Sequence, residues 1–116
     1  MINRAALILR YKDPAVKWVN DADPYNASPG ITIDDINQDR TVYLIRDEDA
    51  ESTETVKEWV ELNYSILFEV ELEGWYTDPS LWPEDRSLEA FYSWFHVECN
   101  SVLIDTVEGE IHDDDI

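Results

Sequence analysis

Apolar positions recur along this chain with two different periods, and the switches between them mark out its elements. Ala5 to Tyr11 (AALILRY) is short, apolar on both faces and bounded by charge, which predicts a strand buried inside a sheet. Asp13-Pro14 reads as an N-cap followed by proline at the first helical position. Val16, Val19 and Trp18 give that short helix its apolar side. Asp21 to Gly30 (DADPYNASPG) is the longest loop signal in the chain. Thr32, followed by Asp34 and Asp35, caps one more helical turn carrying Ile33 and Ile36. Thr41 to Ile45 (TVYLI) is a second strand, rich in β-branched and aromatic residues.

The second half opens with an acidic linker, Asp47 to Glu51, and continues into the longest helical pattern. Thr55 and Glu58 have capping-box spacing, and Ser52 or Thr53 offers an earlier cap. Val56, Trp59, Val60, Tyr64, Leu67 and Val70 recur at three- and four-residue steps as the expected buried stripe. Glu54, Glu58, Glu61 and Glu69 fall mostly off it. Gly74 is placed to end the helix as its C′ residue. An aromatic connection, Trp75 to Pro83, turns at Asp78-Pro79. Leu88, Phe91, Tyr92 and Phe95 mark another helix from about Ser87, and Ser101 to Val107 (SVLIDTV) is the expected third strand.

The order is β-α-β-α-α-β, which predicts an α+β, two-layer fold with a sheet of about three strands and helices packed on it. Strand order and pairing sense stay open at this point. With 116 residues, the chain is expected to form one domain over 1–107, with 108–116 as an acidic tail. Five Trp, six Tyr and three Phe belong to a folded protein, so the charge decorates a fold.

That charge is −19, and its placement is uneven. Up to Arg46 six cations balance six carboxylates, whereas from Asp47 onward Lys57 and Arg86 face 21 carboxylates. Such a field disfavours direct nucleic-acid and membrane contact and favours a basic protein partner. The single Cys99 excludes an intrachain disulfide and fits a reducing compartment. No apolar run approaches the ~20 residues of a membrane span, and the N-terminus lacks a signal-peptide pattern. A cytoplasmic location is the expectation.

Chemistry-bearing patterns are sparse. Asp47, Asp49, Glu51, Thr53, Thr55 and Glu58 follow the ligand spacing of a calcium loop. Ser52 replaces the glycine of its sharp turn, however, and Glu54 the usual apolar residue, so an acidic run into a helix start is the better reading. His96, Glu98 and Cys99 are metal ligands or a thiol–imidazole pair by residue type alone; Cys99 as a small buried hydrophobe is preferred. No catalytic, cofactor-binding or metal-ligating residue is assigned. The aromatics Trp75, Tyr76 and Trp82, stiffened by prolines, form a recognition surface or cap the core beneath their loop.

Glu71 to Asp105 (ELEGWYTDPSLWPEDRSLEAFYSWFHVECNSVLID) resembles a group of small acidic bacterial proteins with no assigned function. They share ELEGWYTD, LWP, R-x-L and F-x-x-WF segments followed by a hydrophobic strand. NRAALILRYKDP and TVYLI are similar to theirs as well. The resemblance implies a compact cytosolic bacterial protein and transfers no catalytic or binding residue.

The expected function is a non-enzymatic interaction module presenting an acidic face to a basic partner. Its partner-binding residues are Trp75, Tyr76, Trp82, Glu58, Glu61, Asp113, Asp114 and Asp115. The alternative is a ligand-binding domain or enzyme with a pocket near Trp75–Trp82. Oligomeric state is left open by the sequence.

Overall fold

The computed structural model describes residues 2–23, 25 and 30–113. Half of the loop expected over 21–30, and the tail residues Asp114 and Asp115, therefore lie outside the described residues. Strand β1 (Arg4–Tyr11) occupies the centre of a three-stranded sheet of order β2-β1-β3, with β2 at Val42–Arg46 and β3 at Phe95–Asn100. Both pairings are antiparallel: Ala6 stands opposite Leu44 on one side and Asn100 on the other. Helices α1 (Asp13–Asp21), α2 (Ile33–Ile36), α3 (Thr53–Trp75) and α4 (Leu88–Trp94) complete an α+β fold.

Strand alternation decides which side the helices cover. Ala5, Leu7, Leu9 and Tyr11 of β1 are buried and share one core with Ile45 of β2, Val60, Leu67, Phe68 and Leu72 of α3, and Phe91 of α4. Phe68, Phe91 and Phe95 meet in tilted and edge-on contacts 5.2–5.8 Å apart, the geometry that aromatic quadrupoles favour. The even-numbered positions of β1 point the other way, onto a face that carries the half-exposed Val42 and Leu44 of β2. β1 is thus apolar on both faces, as the run AALILRY predicts, while helices line one of them.

Local capping follows the sequence closely. Thr32 accepts from the Asp35 amide, Ser87 from the Ala90 amide, and Ser52 forms a reciprocal box with Thr55 that starts α3. The box is Ser52–Thr55 rather than Thr55–Glu58, Phe95 opens a strand rather than closing α4, and four further expectations need correction. The cap of α1 is Lys12, one residue before Asp13, so Asp13 sits in the first turn and its carboxylate faces the helix dipole. Gly74 is not a C′ residue, because α3 runs on to Trp75 and the Tyr76 amide closes it onto the Leu72 carbonyl at 2.9 Å. Val70 is exposed, and Glu71 takes its place in the buried stripe.

The third strand is Phe95–Asn100 rather than Ser101–Val107. The chain passes from α4 straight into it. Phe95 stands opposite Tyr11, the rings 5.1 Å apart, and that contact sets the register of everything after it. With Asn100 opposite Ala6, the register leaves only Ala5 and Arg4 of β1 for Ser101 and Val102, and SVLIDTV runs past the end of β1 from Leu103 on. It is irregular and mostly exposed, tied by the Ile2 amide to the Leu103 carbonyl at 2.9 Å. Among the described residues, most of it has no strand opposite for its β propensity to use.

Candidate functional site

Helix α3 presents two apolar stripes. The inner one enters the core. The outer one consists of Leu62, Ile66 and Val70, exposed by 85%, 64% and 45%, at successive four-residue steps. Glu58, Glu69 and Glu73 fall on the same ridge, all exposed, so carboxylates flank aliphatic side chains over about 22 Å of helix. Three large aliphatics at this spacing on a solvent face gain nothing for folding.

The sequence-predicted residues do not converge on one place. Glu58 lies one turn before Leu62 on this ridge. Glu61 lies on the other flank of α3, 4.0 Å from Lys57 and close enough to Tyr92 that burial and the Glu61 charge together push that phenol up. Asp113 is exposed in the C-terminal segment. Trp75, Tyr76 and Trp82 are half-buried at the far end of α3, and their polar atoms are engaged inside the molecule. Trp75 Nε1 donates to Tyr11 Oη at 2.8 Å and Trp82 Nε1 to the Tyr76 carbonyl at 2.8 Å, while Tyr76 Oη donates to the Val19 carbonyl. Trp18 stacks edge-on against Tyr76 at 5.2 Å and donates to the Leu81 carbonyl. Asp78 and Asp85 accept from the Ser80 and Ser87 amides, which lowers both carboxyl pKa values and fixes the turns on either side of Trp82. These aromatics bind α1 to the loop after α3.

A polar cluster missed from the sequence lies next to Trp75. Glu71 is 5% exposed. Its Oε1 accepts from Tyr11 Oη at 2.8 Å and Arg40 Nη2 at 3.0 Å, and its Oε2 accepts from Tyr43 Oη. The Arg40 guanidinium also lies 4.2 Å over the Tyr11 ring. Burial first, and the Glu71 charge second for Tyr11, push both phenols far above their ordinary range. The cluster ties α3 to β1, to β2 and to the segment before β2. The signal was present in the sequence: Glu71 falls four residues after Leu67 on the inner stripe, where a carboxylate requires donors. Its donors come from Tyr11, Arg40 and Tyr43, distant in sequence.

A recess of about 260 Å³ adjoins the cluster, lined by Arg40, Thr41, Val70, Glu71, Gly74 and Trp75 among others. Tyr76 and Trp82 do not line it, and both oxygens of Glu71 already accept hydrogen bonds, so its carboxylate has little left to offer a ligand. The calcium-like spacing is broken up as well. Asp49 accepts from Arg46 Nε at 3.0 Å and Thr55 is consumed by the cap. His96 and Cys99 lie an odd number of residues apart on β3 and so point to opposite faces of the sheet, which rules out a shared site. Burial raises the Cys99 thiol pKa, away from the thiolate. Among the described residues no three His, Cys, Asp or Glu side chains are grouped to hold one ion, and no helix is long and apolar enough to cross a membrane. Comparison with family models, with curated proteins and with solved structures finds no match for this chain.

Proposed function

We propose that this protein is an interaction module whose docking surface is the outer ridge of α3, and that its partner is a basic, amphipathic protein segment. One observation carries the reading: Leu62, Ile66 and Val70 are exposed in register, with Glu58, Glu69 and Glu73 beside them. Aliphatics supply contact area that excludes water. The carboxylates select cationic partners and speed their encounter. The cluster at Glu71 supports the same reading indirectly, since it anchors the C-terminal half of α3 to the sheet and so limits the ordering a partner must impose.

The test is binding of a designed lysine–leucine amphipathic helix, followed by amide chemical-shift mapping. Shifts concentrated over 58–73, and lost on Ile66→Glu, are expected. Shifts spread evenly over the acidic linker and the C-terminal segment would mean that charge alone attracts the peptide, and the reading fails.

A further inference from the structure

Away from the α3 ridge and the Glu71 cluster, a recess of about 390 Å³ lies where the turn before α4 meets that helix. Pro83 and Asp85 line it from the turn, and Glu89, Ala90, Ser93 and Trp94 line it from α4. Glu89 with Ser93, and Ala90 with Trp94, are each one helical turn apart, so two neighbouring ridges of α4 face it. Ala90 is buried, and its single methyl group leaves space that a larger side chain would fill. Asp85, Glu89 and Ser93 are exposed around it. The volume lies in the range of small-ligand sites.

The lining is aromatic and acidic, and the fold does not neutralise it from within. Pro83 to Trp94 carries three carboxylates and one arginine. That Arg86 donates to the Pro83 carbonyl at 2.7 Å and lies 5.9 Å over the Trp82 ring. Lys12 donates to the Tyr92 carbonyl at 2.7 Å. Among the described residues neither Asp85 nor Glu89 has a cation within ion-pair distance. The Ser87 amide donates to Asp85 Oδ1 at 3.1 Å and fixes that carboxylate in place. Ser93 Oγ spends its proton on the Ala90 carbonyl at 2.8 Å, so its lone pairs remain to accept. Phe68 at 5.2 Å and Trp18 at 5.5 Å hold the Trp94 ring. Trp18, Trp75 and Trp82 donate their Nε1 protons inside the molecule. Trp94 Nε1 has no acceptor among the described residues and is not sealed from solvent.

We propose that this recess binds an arginine side chain of a partner protein. Charge complementarity and shape choose the occupant. A guanidinium brings a flat face to an indole and five donors to two carboxylates and a hydroxyl oxygen. A lysine ammonium has donors but no face to stack. A quaternary ammonium has no donors, and a single aromatic wall gives it no cage. A polypeptide carries the arginine because its main-chain carbonyls also offer an acceptor to Trp94 Nε1, and because the exposed rim lets a chain enter and leave. The inference does not rest on the reading of α3, since no residue of that helix lines the recess.

Backbone and indole chemical shifts, followed as N-acetylarginine methylamide is added at constant ionic strength, test the proposal. Saturable shifts at Ala90, Ser93 and the Trp94 indole are expected, with a dissociation constant on the order of millimolar. N-acetyllysine methylamide should bind about threefold more weakly, and tetramethylammonium more weakly still. Glu89→Gln should weaken arginine binding about threefold, and Ser93→Leu should abolish it by filling the recess, with spectra otherwise unchanged. Free arginine should bind no more tightly than the blocked form. Uniform, unsaturated shifts over the acidic surface overturn the proposal, as does lysine or tetramethylammonium binding as tightly as arginine. Arginine binding that survives both variants overturns it too. Free arginine binding much more tightly would mark a free amino-acid site, and the partner-protein reading fails. These shifts fall over 85–94 and docking on α3 is read over 58–73, so either proposal can fail alone.

Discussion

The two sides of α3 invert the usual distribution of residue types. Its inner side buries a glutamate, and its outer side exposes a leucine, an isoleucine and a valine. The buried carboxylate persists because three donors from β1, β2 and the segment before β2 converge on it. Among the described residues the exposed aliphatics have no partner of that kind. Burial of an ionised group shows where a fold commits its polar contacts, and exposure of an aliphatic row shows where it leaves contact area unused. The inner side specifies the structure, and the outer side is the surface proposed for recognition.

Removing the carboxylate is the most severe way to break this contrast. Glu71→Ala leaves the Arg40 guanidinium and two phenols buried without their acceptor, so a loss of about 3–5 kcal/mol in urea unfolding is expected. A loss below about 1 kcal/mol would show that water replaces the carboxylate and that the cluster is not what fixes α3.

The second effect is alkaline. Tyr11 and Tyr43 have folded pKa values raised above the unfolded value, chiefly by desolvation. The unfolded chain therefore loses these protons first as pH rises. Their contribution is complete below about pH 10 and declines above it. Chemical unfolding at a series of pH values, with Tyr43→Phe as control, should show a midpoint falling above about pH 10 and less steeply in the variant. A midpoint flat to pH 12 would remove these phenols from the core network.

Smaller effects sharpen the comparison. A β-carbon at Gly74 meets nothing within 4 Å, and the residue is helical, so Gly74→Ala should stabilise by about 0.5–1 kcal/mol through helix propensity alone. Destabilisation would mean that the recess beside Trp75 needs to stay open. Least of all should the outer ridge matter for folding: Ile66→Ser is expected to change stability by no more than about 0.5 kcal/mol while weakening peptide binding at least tenfold. If its melting temperature falls sharply instead, the ridge is part of the core. Moderate NaCl should raise the wild-type melting temperature by screening like charges, as differential scanning calorimetry will show.

How much of this was legible beforehand depends on range in sequence. Ser52 with Thr55, Thr32 with Asp35 and Ser87 with Ala90 are contacts three residues apart, so the helix starts could be read directly, apart from the one-residue shift at Lys12. The periods of two and 3.6 residues likewise gave the order of strands and helices. Two stripes of four-residue repeat, offset by one residue, look alike in a linear pattern, which is why Val70 was expected inside and Glu71 was overlooked. The ligand-like spacings over Asp47–Glu58 and His96–Cys99 lost their meaning once a cap, an ion pair and strand alternation claimed those side chains.

The sequence by itself determined local conformation, because helix and strand preferences arise within a few residues, and it determined the acidity that any partner must meet. Tertiary structure decided the rest. Tyr11 meeting Phe95 set the register of β3 and carried Leu103–Val107 past the end of β1. The single-sided packing of the helices turned Ile8, Val42 and Leu44 into an open face. The donors of Glu71 reached it from as far away as Tyr11, sixty residues earlier. Such contacts depend on which surfaces meet after the chain has closed its loops, and pattern within a short window carries no record of that meeting.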